Sequence, residues 1–414
     1  VLVEDIDGDG GKEICVLGSI PDNSIVYCLN ATSLELKWFK ELKTTARAPL
    51  SGYDINSDGV IEIFVGGLNG SLFVLSGKNG NVLWKFNTDG GIRFSGASIG
   101  DIDNDKIPEI VFGSLDHYIY ILNSQGETLW RYKTSAPVEC SPIIGDINGD
   151  GSPEIIVSNN DGFIYVFSSR KILLWKIRIL GFVTCLNLGD INGDGILDIT
   201  AYYRSGTLLV IDGKGNILWQ YNGDIPLIYG GLADIDGDNH TEIISIGKVK
   251  GIICFDLDQG GFGSPWTTYQ RDNLNTGFFP DTDRDGLADY YEAFYKCDPQ
   301  DNDTDHDRIP DGWEVRYGLN PNNNSDNSLD SDEDGLSNLD EYLLGTNPTR
   351  SDTDFDGIGD KEEVKSNLNP LQIDSDRDTL VDSIDPIPQY PLEHPIFLLI
   401  IIQIIIIPET KRKI

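Results

Sequence analysis

An acid-rich segment recurs six times in this chain, starting at Asp5, Asp54, Asp101, Asp146, Asp190 and Asp234, with gaps of 49, 47, 45, 44 and 44 residues. A period in the forties, filled with short apolar runs, is the spacing of propeller blades rather than of helical solenoids. Each unit follows one plan. In the fourth, "CSPIIG" leads into the acidic loop, "EIIVS" leaves it, "NNDG" turns the chain, and "FIYVF" and "LLWKI" follow. Four short strands joined by tight turns make one blade, so the expectation is a mainly β fold, a β-propeller with six blades visible. Trp38, Trp84, Trp130, Trp175, Trp219 and Trp266 keep step at intervals of 44 to 47 residues. They are expected to pack between neighbouring blades, because no polar catalytic centre accompanies them.

A second period starts after Pro280. Loops begin at Asp281, Asp303, Asp330, Asp352 and Asp374, spaced 22, 27, 22 and 22 residues apart. Between them lies only a short helix-compatible run and a stop such as "LGTNP" or "SNLNP", the Gly or Asn then Pro that ends a helix. Units this small bury little apolar surface, so a bound metal would supply much of their stability. The domain reading is a propeller over 1–279, an elongated array of EF-hand-like calcium loops over 281–386, and a tail over 387–414.

Both loops deliver oxygens from alternate positions, as calcium requires, with a Gly at position 6 for the sharp turn. They differ in the closing acid. A strand leaves the loop extended, so the acid must sit at position 9; a helix brings position 12 back to the ion. The blade candidates are Asp5, Asp7, Asp9 and Glu13; Asp54, Asn56, Asp58 and Glu62; Asp101, Asp103, Asp105 and Glu109; Asp146, Asn148, Asp150 and Glu154; Asp190, Asn192, Asp194 and Asp198; and Asp234, Asp236, Asp238 and Glu242. Lys106 and Asn239 replace the Gly, and Lys106 makes the third site the weakest of the six. The array candidates are Asp281, Asp283, Asp285, Asp289 and Glu292; Asp303, Asp305, Asp307, Asp311 and Glu314; Asp330, Asp332, Asp334, Asn338 and Glu341; Asp352, Asp354, Asp356, Asp360 and Glu363; and Asp374, Asp376, Asp378, Asp382 and Asp385. Arg308 and Thr379 stand at position 6 of the second and fifth of these loops.

On these motifs, residues 1–279 resemble the FG-GAP repeats of integrin α-subunit propellers and their prokaryotic relatives. That resemblance implies calcium on the outer blade hairpins, bracing the rim. Residues 281–386 resemble bacterial thrombospondin type 3-like repeats, which implies a calcium-stiffened stalk between a head domain and a cell surface. A dockerin is similar, but has two loops rather than five.

The net charge of −36 argues against nucleic acid as a partner. Residues 281–385 hold 30 acids against 8 Lys and Arg, and their regular spacing favours cation sites over a uniformly solvated surface. The six Cys show no CxxC pair and are expected to fill apolar positions, although Cys15 and Cys28 could face each other across a hairpin. The chain opens inside a repeat, which suggests a missing N-terminus and seven or more blades in the intact parent. Residues 396–407, "IFLLIIIQIIII", precede "PETKRKI" and resemble a C-terminal anchor segment with its basic end cytoplasmic. At twelve residues the run is short for a membrane-spanning helix. "GASIG" (96–100) matches Gly-x-Ser-x-Gly without its strand-turn-helix context, and no two His have metal-ligand spacing. The expectation is a non-enzymatic, calcium-binding, cell-surface or secreted adhesion protein, its head binding an extracellular protein or glycan. A polysaccharide lyase on a calcium-bearing propeller is the alternative.

Overall fold

The computed structural model describes residues 1–20, 22–179, 181–223, 226–233, 241–247, 251–255, 278, 280–376, 380–383 and 388. They belong to two compact units, Val1–Asn302 and Asp303–Ile414.

The first unit holds six antiparallel sheets in sequence order, five of four strands and a sixth of three described strands. In the fourth sheet the strands are Ile143–Gly145, Glu154–Ser158, Phe163–Phe167 and Leu173–Arg178, each paired with the next. Sequence explains their burial. "EIIVS" is covered throughout and "FIYVF" nearly so, because both of their faces meet neighbouring sheets. "LLWKIR" alternates between half-buried and exposed, as an outer strand with one wet face does. The core lies between consecutive sheets. Leu2, Val26, Leu50 and Ile63 join the first sheet to the second, and Phe64, Val74, Ile99 and Phe112 join the second to the third.

The tryptophans lock this stacking. The Trp38 indole N–H donates to the Gly77 carbonyl at 2.7 Å, and that of Trp175 to Gly213 at 2.7 Å, each reaching the next sheet in line for Trp38 and Trp175. Gly80 turns at φ +69° against the face of Trp38, where a Cβ would lie 2.5 Å from the ring. Trp130 meets Phe167 edge-on at 5.1 Å, and Trp219 meets Phe255 at 5.3 Å. The inter-sheet role expected of them therefore holds for these residues; Trp266 lies outside the described residues.

Four helices follow, α1 (Asp289–Tyr295), α2 (Asp311–Tyr317), α3 (Asn338–Leu344) and α4 (Asp360–Ser366). All end in a left-handed residue, Lys296, Gly318, Gly345 or Asn367. Helix α1 belongs to the first unit, so the unit boundary falls 22 residues later than the sequence boundary at 281. Packing is the reason. The buried Tyr291 hydroxyl accepts from the Asp190 N–H at 2.8 Å. Arg284 donates to the Asn104 carbonyl at 3.2 Å. Gly151 and Gly286 let two loops touch backbone to backbone: a Cβ on Gly151 would meet the Arg284 carbonyl at 2.4 Å, and one on Gly286 the Gly149 carbonyl at 2.8 Å.

Candidate metal centres

Position 9 begins the next element in both loop types. Strands start at Glu13, Glu62, Glu109, Glu154 and Asp198, and helices at Asp289, Asp311, Asn338 and Asp360. The closing-acid rule is thus a statement about which element leaves the loop.

In the sheet loops the first Asp gathers backbone N–H groups. Asp146 accepts from Asn148, Gly149 and Gly151, and Asp190 from Gly193, Asp194 and Gly195. Asp150 at position 5 accepts from Ser152. The position-9 acid reaches back seven residues to a backbone N–H: Glu13 to Ile6, Glu62 to Ile55, Glu109 to Ile102, Glu154 to Ile147 and Asp198 to Ile191, all at 2.9–3.2 Å. In each case a single oxygen, Oε2 or Oδ2, makes this bond. Asp5, Asp7 and Glu13 bring carboxylate oxygens within 4.8 Å of one another, as do Asp101, Asp103 and Glu109.

Two sheet loops carry a lysine. The Lys37 ammonium lies 2.6 Å from Asp7, 2.8 Å from Asp9 and 2.8 Å from Glu13, so the first loop already has an internal cation. Lys171 reaches Asp103 at 3.0 Å. Lys106, the replacement for Gly, adopts φ +69° and donates its N–H to Asp101 as the glycines do, so the turn survives the substitution. Arg308 does the same at φ +83° with Asp303.

At position 9 the array loops add a bond that spacing does not indicate. Asp289, Asp311, Asp360 and Asp382 each have both oxygens engaged by the Thr or Ser at position 2, one by its N–H and one by its hydroxyl. In the third loop Asn338 takes the Ser331 hydroxyl at 2.8 Å. These residues brace the loop for the helix that starts on them. The closing Glu is the reverse case. Glu292, Glu314 and Glu363 are fully buried, and neither oxygen of any of them has a hydrogen-bond partner among the described residues. Burial, reinforced by Asp283, Asp285, Asp289 and Asp281, pushes Glu292 up to about 9. Burial and the neighbouring acids push Glu314 up to about 9 and Glu363 up to about 8. In the sheets, burial and then Asp146 push Glu154 up to about 8. A buried carboxylate beside other carboxylates, with no donor, is unfavourable unless a cation joins it. The donor set is oxygen only, which suits a hard divalent ion.

One member of this constellation escaped the sequence reading. Asp326 is buried and brings its carboxylate within 4.8 Å of those of Asp307 and Glu314. It comes from the five extra residues between the second and third loops, where the spacing is 27 rather than 22. That excess was the available signal. Asp382 adds repulsion at Glu363, and Asp360 at Glu341, so acids of one loop act on the closing Glu of the loop before it.

Asp234, Asp236, Asp238, Asp378 and Asp385 lie outside the described residues, as do Asn239, Thr379 and 396–407. No helix among the described residues is long and apolar enough to cross a membrane. Ser98 of "GASIG" is buried and donates to the Pro142 carbonyl at 2.6 Å, a structural bond in an inner strand. Cys15 and Cys28 do pair across a hairpin as buried free thiols; Cys254 is exposed, unlike the other five.

A family model of the FG-GAP-like repeat matches residues 54–112 and 101–157. Residues 54–157 therefore carry FG-GAP-like repeats. Among solved structures, the chain is similar to a biofilm matrix protein of V. cholerae, Bap1, at 24% identity and TM-score 0.43, covering 61% of this chain and 42% of that one. It is similar to BamB from Moraxella catarrhalis at 16% identity and TM-score 0.37, with coverage of 59% and 82%. It is also similar to BBS1N, solved in complex with ARL6DN, at 12% identity and TM-score 0.48, with coverage of 65% and 83%. No curated protein matches the chain.

Proposed function

We propose that this chain is a calcium-binding adhesion or ligand-binding protein of the cell exterior, with a β-propeller head and a calcium-ordered array as its spacer. The observation that carries the reading is the set of buried closing glutamates, Glu292, Glu314 and Glu363, with neither oxygen hydrogen-bonded among the described residues. In the second loop of the array, Asp303, Asp305, Asp307 and Glu314 would hold the ion, joined by Asp326. Bound calcium would supply the positive charge that lets these carboxylates stay ionised out of water. The Thr304–Asp311 pair then sets the first turn of α2 so that Glu314 faces the loop.

Oxygen-only sites fill at about 10⁻⁴ to 10⁻³ M calcium in extracellular modules, a range that supports a location outside the cytosol. Its partner would be an extracellular protein or glycan, and membrane or envelope attachment would fall to the C-terminal tail. Isothermal titration of chelator-stripped protein with calcium tests the reading. Several equivalents should bind, with a matching rise in melting temperature; no heat and no thermal shift at millimolar calcium would refute it.

A further inference from the structure

The metal loops follow the first strand of each sheet. A cavity of about 850 Å³ lies where those strands begin, lined by the segments that enter sheets two to six. Its charge runs against that of the chain. Arg47, Arg93 and Arg204 line it, and among the described residues Glu139 is its single acid, in a molecule with a net charge of −36. Glu139 is already engaged, by Arg93 at 3.7 Å and by the Asn160 amide at 2.9 Å. Arg47 and Arg204 are exposed, and neither forms an ion pair among the described residues. The remaining surface is largely apolar. Val183 and Leu227 are buried in the wall, while Phe94, Tyr229 and Ile246 stand 40%, 52% and 44% exposed. The Arg93 guanidinium lies over the Phe94 ring at 4.8 Å, leaving an aromatic edge beside a cation.

Building on the proposed ligand-binding reading, we infer that this cavity is the ligand site and that it takes a peptide segment bearing Asp or Glu beside apolar side chains. Guanidinium groups are planar, always charged and matched to carboxylates. The apolar wall would be covered by the ligand's own apolar groups, as in concave sites generally. A glycan fits less well. Its hydroxyls need many polar partners, yet the Thr184 hydroxyl is spent on the Tyr202 or Leu227 carbonyl and Glu139 on Arg93.

The test uses the full chain in calcium and fluorescence anisotropy. The probe is a fluorescein-labelled peptide alternating Glu with Phe and Leu, alongside its Gln-for-Glu counterpart. The acidic peptide should bind with an affinity that falls with salt, and the neutral one at least about tenfold more weakly, the scale of one charged hydrogen bond. Arg47→Gln and Arg204→Gln should each weaken the acidic peptide by about tenfold; Arg204→Lys, which keeps the charge, should lose less. Melting curves with and without EDTA identify variants that fold as the parent does. Equal binding of both peptides, parental affinity in the Arg variants, or no peptide binding would overturn the inference. So would arginine-dependent binding of polygalacturonate in the peptide's place. Failure of the calcium reading would show separately, as melting indifferent to EDTA.

Discussion

The loop Asp146–Glu154 and the loop Asp303–Glu314 begin with the same chemistry and end on closing acids that are hydrogen-bonded differently. Glu154 gives one oxygen to the Ile147 N–H, in a hairpin already held by strand pairing and by the packed Ile144, Ile155 and Phe167. Glu314 is equally buried and receives no hydrogen bond among the described residues; Ile309 and Val315 are the buried hydrophobics of its repeat. The difference teaches that one acidic-loop pattern can sit in a hairpin held by strand packing or in a repeat with little apolar surface of its own. What decides is how much apolar surface the following element can bury.

Chelation should separate the two regions most strongly. In excess EDTA, residues 303–376 should lose their helical circular-dichroism signal and become protease-sensitive while the sheets persist. Retention of the helices would break the contrast. The chelated protein should also show an inverted pH dependence. Glu314 and Glu363 lie at about 9 and about 8 when folded, against the ordinary 4.5. Between those values the folded state holds more protons than the unfolded one, so stability in EDTA should rise as pH falls from about 9 towards 4.5 and be fullest below it. With calcium the trend should reverse, because protons compete for the same oxygens. Thermal melts at pH 5, 7 and 9, with and without EDTA, check the sign.

Single substitutions sharpen the comparison further. Glu314→Gln should weaken calcium binding by at least about tenfold, the scale on which even outer-shell partners of a metal count, yet raise the melting temperature in EDTA at neutral pH by removing the cost of protonating a buried carboxyl above its ordinary range. Glu154→Gln keeps an acceptor for Ile147 and should cost about 1 kcal/mol or less. Lys37→Gln should add one calcium equivalent in titrations, since the ammonium leaves Asp7, Asp9 and Glu13. Lys106→Gly, at φ +69°, should stabilise by at most about 1 kcal/mol, the relief of left-handed strain less the entropy of a glycine.

Much was legible in the chain itself. The period, the strand order within each sheet, the inter-sheet tryptophans and the position at which each loop closes are local or repeated features, and repetition makes a weak pattern readable. The position-9 acids of the array were read as ligands because their spacing matched. Their engagement with Thr304, Thr353 and their counterparts depends on a two-residue contact that spacing does not encode.

The sequence by itself determined the two loop chemistries and where each occurs, because a turn of alternating oxygens and a glycine is specified within a dozen residues. Only the tertiary structure decided that the Asp281 loop joins the sheets through Tyr291 and Gly151, that Asp326 enters the second site of the array, and that Arg47, Arg93 and Arg204 meet at one cavity. Asp326 reaches back 12 and 19 positions within its own repeat, whereas the other juxtapositions join residues 46 to 157 positions apart across different repeats. They are fixed by how the repeats pack, which no single repeat contains.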